Sequence, residues 1–212
     1  MSPAEVFTHI YKKNVWGGTK SEFYSGTGSR YPYITDPYVS ALRDYIRNLK
    51  NLGMSVNAVD LGCGDFHVGS QLVDLTDSYQ ACDIVPALIE RNKEVYAKKN
   101  LTFQVLNAID DPLPQGNVVF IRTVLQHLSN QQIQKILSKL GQYGLWIITE
   151  HLPRSNDFVP NLDQPTGPGI RLSSNSGVVL TAPPFSISPR TEEGICEIRE
   201  PLGVIRTMAY SF

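Results

Sequence analysis

The chain has 212 residues, with 19 Lys and Arg against 20 Asp and Glu and a net charge of −1. That length suits a single domain with a sizeable core, and balanced charge without a like-sign run leaves no electrostatic footprint for nucleic acid or an anionic membrane. No apolar run approaches the roughly 20 residues of a membrane span, and the odd set Cys63, Cys82 and Cys196 lacks CxxC spacing. A reducing, cytoplasmic setting without a leader is expected, and a small or neutral partner.

Residues 1–35 read as an N-terminal cap. Within it, Gly17 to Tyr33 is rich in Gly, Ser and Tyr without helical or strand period, as in a cover loop or lid. Asp36 and Pro37 then read as N-cap and N1 of an amphipathic helix carrying Val39, Leu42, Ile46, Leu49 and Leu52, which Gly53 stops. Next come a strand over Val56 to Leu61, a short helix near Val68 to Leu75, and a second strand ending at Cys82 and Asp83. Pro86 opens a helix with Leu88, Ile89, Val95 and Tyr96 on one face. Thr102 to Leu106 is a third strand and Val118 to Thr123 a fourth; Ser129 with Gln132 is a capping box, and Leu145 to Thr149 is a fifth strand. Such alternation predicts an α/β fold whose parallel sheet is covered on both faces. Residues 151–193, rich in Pro, Ser, Asn and Gly, read as an insert that builds a site. Ile195 to Arg199 and Val204 to Tyr210 read as an antiparallel hairpin.

The turn Gly62-Cys63-Gly64 ends the first strand, where glycines permit a sharp bend and a close approach. Asp83 lies nineteen residues beyond Gly64 at the second strand's end, where a carboxylate can accept both ribose hydroxyls. Together they mark an adenosine cofactor. The dinucleotide fingerprint needs a small residue three positions after Gly64, and His67 stands there, which disfavours a nicotinamide oxidoreductase. S-adenosylmethionine (SAM) has no pyrophosphate and needs only the Gly turn. Asn107 and Ala108 fall where they can read the adenine edge, and Ile84 where it can pack on the adenine face.

The run Val59-Asp60-Leu61-Gly62-Cys63-Gly64-Asp65-Phe66 resembles motif I of class I SAM-dependent methyltransferases. Asp83 to Asn92, Asp111-Pro112-Leu113-Pro114 and Arg122 through Ser129 resemble a family of small, mostly uncharacterised bacterial and viral methyltransferases. So do Ile10-Tyr11, Asn14, Trp16-Gly17 and Ser25 to Ser29, with Asn161, Asp163, Gly169, Arg171 and Pro184-Phe185 in the insert. The resemblance implies a Rossmann-like, doubly wound seven-stranded sheet ending in the C-terminal antiparallel hairpin. It also implies SAM as cofactor, S-adenosylhomocysteine (SAH) as product, and cofactor contacts at Trp16, Ser25, Gly26, Ser29, Asp60, Cys63, Asp65 and Arg122. A further similarity, to methyltransferase domains joined to glycosyltransferases in large algal DNA viruses, implies a sugar hydroxyl as acceptor and a place within a larger glycan-building enzyme. The family commonly has an acid directly after the arginine matching Arg122; here it is Thr123.

The sulfonium methyl of SAM is already activated, so an enzyme of this kind aligns an acceptor and, for an alcohol, removes its proton. His127 after the fourth strand and His151 after the fifth are equal candidates for that base. Asp65 either orients the cofactor or fixes the turn. Asp163 and Arg171 are candidates for a polar acceptor, Pro183-Pro184-Phe185 for its apolar wall, and Trp16, Tyr24 and Tyr31 for closure over the cofactor. Glu150, Asp157 and Asp163 offer oxygens, but no ligand spacing calls for a metal, and none is expected. Competing readings are N- or carboxyl-methylation of a non-sugar molecule and a SAM-binding module without catalysis.

Overall fold

In the computed structural model, which describes residues 1–19, 22–155 and 157–212, five parallel strands and a C-terminal antiparallel pair form one seven-stranded sheet. The strands are β1 (Asn57–Leu61), β2 (Ser78–Asp83), β3 (Leu101–Val105), β4 (Val118–Arg122), β5 (Leu145–Leu152), β6 (Thr191–Glu200) and β7 (Gly203–Ser211). Their order is β3-β2-β1-β4-β5-β7-β6, so the chain reverses direction across the sheet between β1 and β4, where open α/β sheets bind ligands. The strands alternate faces as the pleat requires. Ala58, Phe120 and Ile147 pack against Tyr38, Leu42 and Ile46; Val59, Ile121 and Ile148 pack on the opposite side against Ile133, Ile136 and Leu140.

The helices are α1 (Pro3–Lys12), α2 (Pro32–Asn51), α3 (Pro86–Val95) and α4 (Asn130–Leu137). The doubly wound α/β reading holds, with several local corrections. Helix α1 is an added element, announced by a capping box between Ser2 and Glu5 with Pro3 at the first turn. Helix α2 starts at Pro32 rather than Pro37, which lies inside it. Pro37 lacks the N–H that would reach the Tyr33 carbonyl, and Tyr33 is exposed, so water can take that bond. The helix expected near 68–75 is two 3-10 turns, Gly69–Gln71 and Val73–Leu75. In α3 the buried face is Leu88, Ile89 and Asn92, while Val95 is exposed. Strand β3 starts and ends one residue earlier than expected, β4 stops at Arg122, and both hairpin strands are longer than the sequence pattern gave.

Strand β5 runs three residues past Thr149 because β7 pairs with it as far as Leu152. His151 is therefore a strand residue, not a loop residue. Residues 20 and 21 of the expected cover loop and residue 156 of the insert lie outside the described residues. Among the described residues no helix is long and apolar enough to cross a membrane.

Ser129 Oγ accepts the Gln132 N–H at 3.3 Å and Gln132 Oε1 accepts the Ser129 N–H at 3.0 Å, which fixes where α4 leaves the β4 loop. Ser129→Ala is expected to cost about 1 kcal/mol, a fall in Tm of about 2–4 °C for a chain of this size, measured by thermal unfolding; no change would show that the cap is redundant.

Candidate active site

The carboxyl edge of β1, β2 and β4 opens into a cavity of about 470 Å³, within the roughly 300–1,000 Å³ usual for small-molecule sites. Its base is the β1 turn. Gly62 and Gly64 have φ of +79° and +57°, a region that side chains rarely adopt. A Cβ on Gly62 would lie 2.4 Å from Val124 Cγ2, and one on Gly64 would lie 2.5 Å from Ser25 Oγ. The glycines thus let the β4 loop and the N-terminal cover close on the turn. Asp83 holds it from β2: one carboxylate oxygen accepts the Gly64 N–H and the other the Val85 N–H, each at 3.0 Å. Burial pushes Asp83 up to about 6. Asn92, fully buried on α3, donates to the Gly64 carbonyl at 2.8 Å. Asp60 sits beneath the turn, accepting from Tyr79 Oη at 2.9 Å, and burial pushes it up to about 7.

Asp65 spends both oxygens on structure. It accepts the Ser25 N–H, Arg30 Nε–H and His67 N–H at 3.1, 2.9 and 3.1 Å, so its role is to fix the turn and pin the cover. Ser25 Oγ returns the contact by accepting the Asp65 N–H at 2.8 Å and also meets Tyr11 Oη at 2.8 Å. Arg122 holds the next piece of cover, donating to the Gly28 carbonyl at 2.6 Å and to Ser29 Oγ at 3.3 Å while lying over the Tyr38 ring. Gly26, Cys63, Ile84, Asn107 and Ala108 all line the cavity. The Asn107 amide is engaged in its own turn, its oxygen accepting the Ile109 N–H and its nitrogen donating to Asp110.

The two candidate bases separate. Glu150 Oε1 accepts the Leu125 N–H at 3.2 Å, which places Glu150 on the face of the β4 loop, and the pleat sends His151 to the other face. His151 Nε2 lies 2.5 Å from Glu200 Oε1, a close contact without hydrogen-bond alignment, at the far end of the same cavity. His127 sits on the 3-10 turn Leu125–His127 beside the glycine turn. Its Nδ1 lies 3.2 Å from the Gly169 carbonyl, and its ring lies 5.0 Å from that of Trp16. Burial pushes both histidines down to about 4, so His127 is neutral at pH 7, whereas at His151 the Glu200 carboxylate opposes that shift.

Of the insert residues named from sequence, Gly169 lines the cavity, whereas Arg171, Asp163 and Phe185 do not reach it. Arg171 is buried and donates to the carbonyls of Leu162, Leu125 and Leu128 and to Asn130 Oδ1. Asp163 accepts the Asn130 N–H at the start of α4, and Phe185 packs on the core beside α4. Each is thus a structural residue, which corrects the acceptor roles expected for them. Tyr31 is exposed against Tyr33, and Tyr24 packs on Arg30 and Gly18; neither lines the cavity, whereas Trp16 does. Lining residues that the sequence did not single out for the site include Phe7 and Tyr11 of α1, Tyr38 of α2, Gln126, Pro168 and Ile170. The Ser2–Glu5 capping box was the available signal for the first two. Among the described residues no group of three or more His, Cys, Asp or Glu is placed to hold a metal ion.

The sequence matches no protein-family model and no curated protein. Solved structures do match its shape. A magnesium protoporphyrin IX methyltransferase from Synechocystis PCC 6803 with bound SAM superposes with a TM-score of 0.62 at 13% identity, over 100% of this chain and 97% of that one. A SAM-dependent methyltransferase from Leishmania major gives 0.63 at 14% identity, over 98% and 80%. The N-methyltransferase NodS from Bradyrhizobium japonicum with SAH gives 0.59 at 10% identity, over 87% and 89%. The chain has the class I methyltransferase fold.

Within that methyltransferase fold Glu150 is a buried carboxyl, pushed from its ordinary 4.5 up to about 8 by desolvation. A carboxyl raised on folding contributes stability that is complete below pH 4.5 and is lost as pH rises through about 8. Glu150→Gln, which keeps the acceptor for Leu125, should match the parent below pH 4.5, exceed it increasingly up to about pH 8, and keep a constant margin above that in urea unfolding. Parallel pH profiles would contradict a protonated Glu150.

Proposed function

We propose that the chain is a SAM-dependent methyltransferase acting on a hydroxyl of a small polar acceptor, a sugar or glycan being the first class to test. The observation that carries it is the shared cavity, which the Gly62–Gly64 turn, Asp83 and a neutral, half-buried His127 imidazole all line. The residues fit the cofactor. Asp83 has lone pairs beyond the two bound to backbone for ribose hydroxyls, Ile84, Ala108 and Ile109 form an apolar slot for adenine, and Arg122 supplies a positive charge and Asp60 a hydrogen-bonding carboxyl for a methionine tail. When bound, SAM supplies an electrophilic methyl group.

The protein's own part is placement and proton removal. Trp16, Phe7 and His127 pack together above the glycine turn and exclude water from the reacting groups. His127 takes the hydroxyl proton as the oxygen becomes acidic on forming its new bond, its imidazole being neutral at pH 7 and so free to accept it. His151, turned to the other sheet face, is left with Glu200.

Labelled methyl transfer from SAM to sugars, phenols, amines and carboxylic acids tests this. Label on hydroxyl compounds is expected; label confined to amines or carboxylates would overturn the hydroxyl assignment, and no label with intact SAH binding would favour a non-catalytic module. His127→Ala should lower kcat about 10²–10⁴-fold with SAH affinity kept, while His151→Ala should retain turnover. The reverse pattern would move the base to His151.

A further inference from the structure

We propose that residues 161–171 are the mount of the His127 imidazole. In it the Gly169 carbonyl fixes the Nδ1–H tautomer, and Arg171 and Gln164 hold that carbonyl and the 125–128 turn in one frame, so that Nε2 takes the proton. The catalytic half of this inference rests on the methyltransferase reading; the tautomer does not.

Two groups of settled orientation require the tautomer. A carbonyl only accepts, so at 3.2 Å from Gly169 O the Nδ1 atom must carry the hydrogen. On the other side, Gln126 Nε2 lies 3.3 Å from the Thr123 carbonyl and 3.3 Å from His127 Nε2. The Thr123 carbonyl forces the amide nitrogen inward, and an amide N–H facing Nε2 needs a lone pair there. That second bond is long and therefore weak, so an acceptor hydroxyl can replace it.

The frame is equally specific. A helical turn leaves carbonyls without partners at its end, and here the insert donates to every carbonyl from Leu125 to Leu128, joining the Leu128 N–H at Leu125 O. Arg171 donates to Leu125 O at 3.2 Å and to Leu128 O at 2.8 Å, Gln164 Nε2 to Gln126 O, and the Gly167 N–H to His127 O at 3.1 Å. Gln164 Nε2 also meets Gly169 O at 3.2 Å, and Thr166 ties the segment to Gln132 of the α4 cap at 2.5 Å. Trp16 Nε1 donates to Pro168 O at 3.3 Å while its ring lies on His127, so cover, insert and imidazole share one set of contacts. Arg171 and Gln164 are positioning residues; neither lines the cavity.

The test is a two-bond proton–nitrogen correlation spectrum of the full chain labelled with 15N-histidine, at neutral pH, with His127→Ala to assign the signal. The parent should show His127 protonated on Nδ1. Arg171→Gln and, separately, Gln164→Ala should show a mixture with the Nε2–H form and a kcat lowered about tenfold or more, with SAH affinity unchanged. An Nε2–H pattern in the parent, or folded variants with the parental tautomer and kcat, would overturn the proposal. If Arg171→Gln does not fold, the half-buried Gln164 position decides alone. An Nδ1–H parent that neither binds SAH nor transfers methyl would overturn the methyltransferase reading and support the mount.

Discussion

The carboxylate of Asp83 accepts the Gly64 and Val85 N–H groups, and the upper edge of the sheet is arranged from that pair of bonds. They close β2 onto the β1 turn and set the left-handed glycines, so that Ser25 and Val124 can rest where a Cβ would otherwise stand. Ser25 and Arg30 then reach Asp65, Arg122 reaches Gly28 and Ser29, and the N-terminal cover becomes a wall of the cavity. A buried carboxylate is costly unless its oxygens are bonded, which is why the turn, the second strand and the cover make sense only together.

A second buried carboxyl works in the opposite sense. Glu150 is held neutral by desolvation behind the 125–127 turn, while His127 on the other side of that turn is held unprotonated by the same cause. An acid that keeps its proton and a base that lacks one, both tied to one short turn, place the uncharged polar chemistry of the site at neutral pH. Thr123, just before the turn, has φ of +53°, a strained value for a β-branched residue. Its N–H is bonded to Thr149 O at 2.7 Å, which holds the strain in place. Short acids and amides tolerate that backbone better than threonine, so Thr123→Asp or Thr123→Asn should relieve strain there.

Much of the frame was legible because it is written locally. Runs such as Val118–Ile121 and Trp146–Ile148, buried on both faces, announce parallel strands, and the glycine turn with Asp83 announces the edge at which the cavity opens. What was not legible depends on partners far along the chain. Arg171 looked like a ligand-binding cation because sequence cannot show that its guanidinium meets carbonyls 43 and 46 residues away. His151 looked like a loop residue because Glu150-His151 ends the apolar run, whereas the strand continues by pairing with β7. Helix α1 was missed although its capping box was present; at ten residues it is shorter than the window over which a helical period is read.

The proposed adenosine cofactor is held at this edge through Asp83. Its binding is measured by calorimetric titration of the full chain with SAH, beside Asp83→Ala with its thermal unfolding recorded as a check on folding. One site per chain in the parent, no heat with NADH, and a loss of affinity of about 1 kcal/mol or more in the folded variant is the predicted result. No SAH heat in the parent, or equal affinity in the variant, would contradict the account.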